Sequence, residues 1–209
     1  MRWMEVGLQA LCIKEVSMKI NLNLKNIYLE GERNHISLAI CEALTFNGGK
    51  MLSATSKIVP DIILISLPLQ PDDGLDFNIY FQKIEIIKEK ISKKKGGRLL
   101  FIISALSEIP MRRYHSYSIG MSGIRTAIKT LAMSLGPTTL VNGIGVGLVG
   151  EPLISGDRSM SSHTPIKTAG SIKQVSDTAL FFCDPLNSYT TGQILCVDGG
   201  WSVGYGRNF

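Results

Sequence analysis

The chain has 209 residues, of which 44% are hydrophobic and 19% are charged, and its formal net charge is +5. This length suits one domain with a well-formed core and is short for two, while the composition excludes a disordered chain. No segment reaches the roughly 18 uninterrupted apolar residues of a membrane-spanning helix, so a globular protein without a membrane partner is expected.

The excess of positive charge does not indicate a nucleic-acid partner. The densest basic run, Lys93–Lys95, ends a predicted helix, where cations complement the helix dipole, and no aromatic residues interleave with it. The four cysteines and three histidines are scattered without metal-ligand spacing. We therefore expect no metal site, reduced thiols and a cytoplasmic location.

The first 24 residues are interpreted as an N-terminal extension that need not be ordered. Their mildly apolar sequence is interrupted by Glu5, Lys14 and Glu15, and no small-residue cleavage site follows, which argues against a signal peptide. Residues 25–209 are expected to form a single domain.

Apolar periodicity predicts strands alternating with helices along residues 25–209. In chain order, the predicted elements are strand Lys25–Glu30, helix Ile36–Phe46, strand Lys50–Ala54, strand Asp61–Leu67, helix Phe77–Ser92, strand Arg98–Ser104, helix Tyr114–Leu135, strand Leu140–Val146, helix Ile172–Cys183 and strand Gln193–Val197. The runs Asp61–Leu67 and Arg98–Ser104 are almost continuously apolar, as in strands covered on both faces. This pattern predicts an α/β fold with a doubly wound parallel sheet of about six strands, these two runs being adjacent and central.

Two connections depart from ordinary lengths. Thr55–Pro60 is shorter than the dozen or more residues that a parallel crossover needs, so the strand at Lys50–Ala54 is expected to be very short or joined by an extended return. The loop Gly150–Thr168, rich in Ser, Gly and Pro, is long for a compact domain and is a candidate lid.

Four sequence pieces, in order, resemble the short-chain dehydrogenase/reductase family. The run GGRLLFIIS ends at Ser104, Tyr117 follows at the family's distance, LVNGIGVG keeps Asn142 and Gly147, and TGQILCVDGG matches the final strand. The resemblance implies a Rossmann-like sheet that binds NADP or NAD across the carboxyl ends of its strands. The short connection after Lys50–Ala54 implies that this sheet is truncated on the adenine side.

The resemblance also assigns catalytic roles. Tyr117 would exchange a proton with a carbonyl or alcohol, and Ser104 would hydrogen-bond the same oxygen. The family's lysine, four residues after the tyrosine, is replaced by Met121, which we assign to the apolar row of its helix. A nearby ammonium is what lowers a tyrosine's pKa from about 10, so the expected cation is missing. Asn78 is a further candidate.

The cofactor positions are altered. The family's first turn, T-G-x-x-x-G-x-G, corresponds to Glu30–Ser37, which keeps only the first glycine. Glu30, Glu32 and Glu151 would place carboxylates near a pyrophosphate, and each like-charge contact costs about 1 kcal/mol even in water. Tight nucleotide binding is therefore not expected; the weak candidate contacts are Gly31, His35, Ser37, Asn142 and Gly147.

Three functions stay open at this point. The leading hypothesis is a degenerate family member that acts as a structural or regulatory subunit. The first alternative is a working NAD(P)-dependent reductase or dehydrogenase for a carbonyl or alcohol, and the second is a non-redox enzyme that uses Ser104 and Tyr117. The family resemblance implies a homodimer or homotetramer, or a hetero-oligomer with an intact paralogue.

Overall fold

The computed structural model describes residues 18–92, 94–150 and 164–204. These residues build a six-stranded parallel sheet between two layers of helices. The strands are β1 (Asn26–Gly31), β2 (Lys50–Met51), β3 (Ile62–Ser66), β4 (Gly97–Ser104), β5 (Thr139–Val146) and β6 (Ile194–Val197). They lie in the order β2-β1-β3-β4-β5-β6, so the predicted α/β fold with a doubly wound parallel sheet is confirmed.

The two apolar runs occupy the centre of the sheet, as predicted. Strand β3 lies between β1 and β4, and every residue of β3 is buried. Its side chains alternate between two hydrophobic clusters, with Ile62 and Leu64 in one and Ile63 and Ile65 in the other. Because both faces are apolar, both must be covered, and this requirement places helices on each side.

The helices are α1 (His35–Phe46), α2 (Phe77–Ile91), α3 (His115–Leu135) and α4 (Ile172–Cys183). Helices α1 and α4 pack together on one face of the sheet, and α2 and α3 cover the other. Each helix buries one apolar stripe; in α2 this stripe consists of Phe77, Ile84, Ile87 and Ile91. Two single-turn 3₁₀ helices, Ala105–Ser107 and Trp201–Val203, follow β4 and β6.

Strand β2 has two residues, so the first of the two alternatives for Lys50–Ala54, a very short strand, is confirmed. Residues 52–61 return to β3 without a helix. Strand β1 therefore lacks a crossover helix over the face that it shares with α2. Its sequence matches this arrangement: Ile27 and Leu29 are buried on the α1 side, while Tyr28 and Glu30 are only partly buried on the other.

The described part of the N-terminal extension contacts the domain. Leu22 is fully buried in the cluster under α1, and Met18 and Ile20 pack against the same cluster. The Ile20 amide also donates to the Asn47 side chain at 2.8 Å. Residues that precede Lys25 therefore form part of the hydrophobic core. Residues 1–17 lie outside the described range.

Within the described ranges, no helix is both long and apolar enough to cross a membrane. Cys41, Cys183 and Cys196 are free thiols, and Cys12 lies outside the described residues.

At the amino end of the sheet, Asp61 joins three segments of the chain. Its carboxylate accepts a hydrogen bond from the Asn26 amide at 2.9 Å and pairs with Lys94 at 3.0 Å and Lys25 at 3.6 Å. Burial favours the protonated form, but the bonds from Asn26 and Lys94 outweigh it and lower the pKa of Asp61. Its ionised form therefore stabilises the fold.

We expect Asp61→Asn to lower the free energy of unfolding by about 1 to 2 kcal/mol at pH 7, measured by urea denaturation. Because the folded pKa lies below the unfolded value of about 3.9, this difference should shrink as the pH falls below about 4 and through the folded pKa. Lys25→Met, which removes the longest and most exposed pair, should cost less than about 1 kcal/mol. An equal effect of both variants would contradict this account.

Candidate functional site

The carboxyl ends of the central strands meet at one edge of the sheet. In register, Gly31 of β1 pairs with Ser66 of β3, and Ser104 of β4 pairs with Val146 of β5. The segments that follow these strands form the rim of this edge. In open parallel sheets this is where ligands bind, so the side chains of a ligand site are expected near this edge.

Tyr117 is brought to this edge by the first turn of α3, but its side chain is completely buried. Its hydroxyl donates a hydrogen bond to the carbonyl oxygen of Pro68 at 3.0 Å. The ring of Phe77 packs against it edge-on, with centroids 6.0 Å apart. Burial raises the pKa of Tyr117 to about 12, although a hydrogen bond with Ser104 opposes the shift.

The structure therefore brings Ser104 and Tyr117 together, as the resemblance implied, but in a closed arrangement. Ser104 is buried, and its hydroxyl also accepts from the Leu106 amide at 3.2 Å, which starts the first 3₁₀ turn. The tyrosine's proton is directed at the Pro68 carbonyl. In this geometry the hydroxyl cannot donate to a substrate.

The residue four after the tyrosine, Met121, is buried in the cluster formed by α2, α3 and the sheet. Its place in the apolar row of α3 is confirmed. Arg125, one turn further, forms an ion pair with Glu108. The other basic residues near the start of α3, Arg112, Arg113 and His115, are exposed. None of these four contributes a described hydrogen bond or ion pair to Tyr117.

At the end of β1 the chain makes a tight turn against β3. Gly31 has φ +90°, and a Cβ atom there would lie 2.1 Å from the Ser66 carbonyl oxygen. The same oxygen accepts from the Glu32 amide at 2.9 Å. Only glycine fits this close approach, so the retained first glycine has a packing role.

The first turn of α1 is capped by the chain itself. The Asn34 side chain accepts from the amides of Ile36 at 3.0 Å and Ser37 at 2.9 Å, and the Ser37 hydroxyl accepts from the Asn34 amide at 3.1 Å. This reciprocal capping box uses amides that would otherwise be free to hold an anion. His35 points to solvent, whereas Ser37 is completely buried.

Glu30 has partners of its own. Its carboxylate pairs with Lys83 of α2 at 2.9 Å and accepts from the Tyr28 hydroxyl at 2.9 Å. Burial would raise the pKa of Glu30, but the bonds from Lys83 and Tyr28 outweigh it, so the pKa is lowered and the group stays ionised. Lys90 lies 5.2 Å above the ring of Tyr28, extending this polar row along the uncovered face of β1.

A cleft of about 350 Å³ opens between the end of β1 and the start of α2. The polar side chains of its lining are one lysine, two carboxylates and one tyrosine. The full lining is Gly31, Glu32, Gly74, Leu75, Asp76, Ile79, Tyr80 and Lys83. Because Lys83 is paired with Glu30, the unpaired charge on this lining is negative. The described residues contain no group of three or more His, Cys, Asp and Glu side chains arranged to hold a metal.

The remaining predicted positions do not face a common site. Asn142 lies in the first half of β5, away from the carboxyl ends, and its side chain bonds the Thr190 carbonyl at 2.8 Å and the Gln193 amide at 3.1 Å. Gly147 packs against Asp198, whose Cβ would lie 2.4 Å from an added Cβ. Asn78 is exposed near the start of α2.

Glu151 and most of the candidate lid Gly150–Thr168 lie outside the described residues. The last part of that loop is described: Thr164 is buried and packs on Gly199, in the turn after β6.

Sequence reasoning missed three residues that define the site. Pro68 acts through its backbone carbonyl, Asp73 accepts from the Tyr117 amide at 3.1 Å, and Lys83 neutralises Glu30. No motif marks a backbone acceptor. The DDG triplet at Asp72–Gly74 and the amphipathic face of α2 were visible signals, but their partners are far away in sequence.

Known proteins with similar sequences are oxidoreductases. The family model described as enoyl-(acyl carrier protein) reductase matches residues 81–202. The 7alpha-hydroxysteroid dehydrogenase of Escherichia coli K12 is 29% identical over 128 residues, which cover 58% of this chain and 50% of that protein. The 3-oxoacyl-(acyl-carrier-protein) reductase FabG of Buchnera aphidicola is 30% identical over 153 residues, covering 68% of this chain and 62% of that one. The chain thus spans about half the length of the curated relatives it matches.

Solved structures share the fold. The FolM alternative dihydrofolate reductase 1 of Brucella canis, complexed with NADP, superposes with a TM-score of 0.70 at 18% identity, covering 88% of this chain and 96% of that one. A short-chain dehydrogenase/reductase from Serratia marcescens gives a TM-score of 0.71 at 18% identity, covering 86% and 99%.

Two methionines of α3 allow a matched test of position 121, since Met121 is 0% exposed and Met133 is 75% exposed. Met121→Lys should lower the free energy of unfolding by about 3 kcal/mol or more, because it buries an ammonium in an apolar cluster. Met133→Lys should change it by less than about 0.5 kcal/mol. We also expect Met121→Lys to gain no nicotinamide-dependent turnover. Urea denaturation and reductase assays check this; a stable, active Met121→Lys variant would contradict it.

Proposed function

Because the chain belongs to the short-chain dehydrogenase/reductase family, we propose that it is a non-canonical member without ordinary NAD(P)-dependent activity. It retains the sheet and the Ser104–Tyr117 pair and acts as a structural or regulatory subunit. One observation carries this proposal: the Tyr117 hydroxyl is buried and already bonded to the Pro68 carbonyl.

The state of Tyr117 argues against acid–base catalysis. A tyrosine that exchanges protons with a substrate must be reachable, and proton transfer is most efficient when its pKa lies near the operating pH. A nearby cation lowers the pKa of a tyrosine toward that range. Here burial raises the pKa of Tyr117 to about 12, so about one hydroxyl in 10⁵ is ionised at pH 7. Met121 provides no charge, and the side chain is enclosed by Phe77 and the segment that contains Pro68.

The residues at the end of β1 do not fit a dinucleotide. In this family bound NAD(P)H would donate a hydride and bound NAD(P)⁺ would accept one, and the pyrophosphate of either form needs free amides at the first turn of α1. Those amides are bonded to Asn34. The adjoining cleft carries Glu32 and Asp76, and its lysine is held by Glu30. A pyrophosphate would meet net negative charge there and would have to displace the capping box.

A working reductase is the second candidate, and three observations favour it. Ser104 and Tyr117 are adjacent, both lie within the matched residues 81–202, and the relatives carry reductase and dehydrogenase names. For this candidate to hold, the Pro68 segment would have to move away and nucleotide would have to displace the Asn34 cap.

Exposed apolar side chains on α2 and α3 support the role of a subunit. The outer faces of α2 and α3 expose four large apolar side chains, Ile79, Ile86, Ile119 and Met133. Apolar side chains on neighbouring helices are typical of protein–protein contacts. We propose that this face joins a second copy of the chain or an intact paralogue in a cytoplasmic assembly, without nucleic acid or membrane partners.

Calorimetric titration with NAD⁺, NADH, NADP⁺ and NADPH tests the cofactor part. We expect dissociation constants no tighter than about 1 mM, which corresponds to about −4 kcal/mol. FolM alternative dihydrofolate reductase 1 from Brucella canis, whose structure contains NADP, is the positive control. Micromolar binding of any of the four nucleotides, with reductase turnover that is lost in Tyr117→Phe, would favour the working enzyme.

Size-exclusion chromatography with light scattering tests the assembly. We expect the isolated chain to form a dimer or tetramer at micromolar concentration, and Ile86→Glu with Met133→Glu to shift it to a monomer, because two charges would be buried at the contact. Phe46→Glu, at a still more exposed position at the end of α1, is the control and should leave the mass unchanged. A monomeric wild-type chain that also fails to bind an intact paralogue would argue against the subunit role.

A further inference from the structure

The segment that covers Tyr117 is the connection between β3 and α2, residues 67–76, which we call the strap. It is fixed at both ends. Leu67 is completely buried, and its amide donates to the Ile102 carbonyl of β4 at 3.0 Å. At the other end Asp76 caps α2, accepting from the Asn78 amide at 2.9 Å, and the next residue, Phe77, is buried.

Between these ends the strap is weakly held. Gln70, Asp72, Asp73 and Gly74 are exposed, and the other residues are partly buried. Its apolar contacts are those of two partly buried leucines, Leu69 and Leu75, which pack on opposite clusters. Segments with few buried contacts open at lower free energy than the core around them. The strap is therefore the part of the enclosure around Tyr117 that can move.

Two hydrogen bonds tie the strap to one residue of α3. The Pro68 carbonyl accepts from the Tyr117 hydroxyl at 3.0 Å, and the Asp73 carboxylate accepts from the Tyr117 amide at 3.1 Å. Tyr114, at the N-cap position of α3, makes no capping bond with its own side chain. Asp73 therefore supplies the cap from a distant segment, and its charge also favours the helix N-terminus.

We propose that the strap is a movable cover over the Tyr117 hydroxyl, and that the hydrogen bond of Asp73 to the Tyr117 amide is the latch that holds this cover closed. When the Asp73 bond breaks, the strap lifts between Leu67 and Asp76, and the hydroxyl loses the Pro68 carbonyl. Tyr117 and Ser104 are then reachable from solvent as a pair. The inference goes beyond the proposed function, since it concerns access to Tyr117 and requires no nucleotide. An open strap alone does not make a working reductase, because the Asn34 cap still occupies the first amides of α1 and position 121 still provides no cation.

Asp73 is a positioning residue, so its test uses readouts that respond to the cover itself. Hydrogen exchange reports the Tyr117 amide, and acetylation by N-acetylimidazole, read by mass spectrometry of the tryptic peptide, reports the Tyr117 hydroxyl. The variants are Asp73→Ala, which removes the acceptor, and Asp73→Asn, which keeps an oxygen in place. Asp76→Ala is the matched control, because it removes a cap from the same segment without touching Tyr117.

In Asp73→Ala we expect both the exchange of the Tyr117 amide and the acetylation of its hydroxyl to rise by about five- to tenfold, because losing a helix cap makes local opening easier by about this factor. Asp73→Asn should stay within about threefold of wild type, and so should Asp76→Ala. The melting temperature of each variant shows whether it is folded at the assay temperature.

Three outcomes would overturn the proposal. The first is an unchanged acetylation rate in a folded Asp73→Ala variant. The second is faster amide exchange without faster acetylation, which would separate the cap from the cover. The third is an equal rise in Asp76→Ala, which would show general loosening in place of a latch. Each outcome leaves the nucleotide titration unaffected, so failure here is distinct from failure of the proposed function.

Discussion

A parallel sheet must be covered on both faces, and this requirement shapes the rest of the molecule. Strands β3 and β4 are apolar on each side, so they need α1 and α4 on one face and α2 and α3 on the other. Strand β1 lies at the margin of the helix layer that α2 and α3 form. Its outward residues Tyr28 and Glu30 are polar: the Tyr28 hydroxyl donates to Glu30, and Glu30 pairs with Lys83. The polar outward residues of β1 are therefore consistent with the absence of a helix between β2 and β3.

The requirement that helices cover both faces of the sheet also explains why Tyr117 and Met121 are buried. Tyr117 and Met121 lie one turn apart on the face of α3 that packs against the sheet, and both are completely buried. An apolar side chain at 121 allows α3 to pack closely there, whereas a lysine would need room for solvent or a paired anion. With Phe77 and the strap in contact with Tyr117, both Tyr117 and Met121 belong to one hydrophobic cluster near the carboxyl edge of the sheet.

Much of the fold could be predicted because its signals are local. The alternating elements, the central position of Asp61–Leu67 and Arg98–Ser104, and the very short strand at Lys50 followed from periodicity and connection length. The proximity of Ser104 and Tyr117 followed from a family resemblance. The bonds of Pro68 and Asp73 to Tyr117 join residues 49 and 44 positions apart, and one of them uses a backbone carbonyl. Such contacts depend on where whole elements pack, which periodicity does not determine.

The short strand β2 has a consequence for behaviour in concentrated solution. The outer strand of a sheet presents unpaired amides and carbonyls to which another chain can add, and long apolar edges promote aggregation. Here the edge is two residues long, and one of them is Lys50, which is exposed. An incoming strand would find only a few backbone partners beside a charge. The short edge on this side of the domain thus limits its capacity to template intermolecular β-structure.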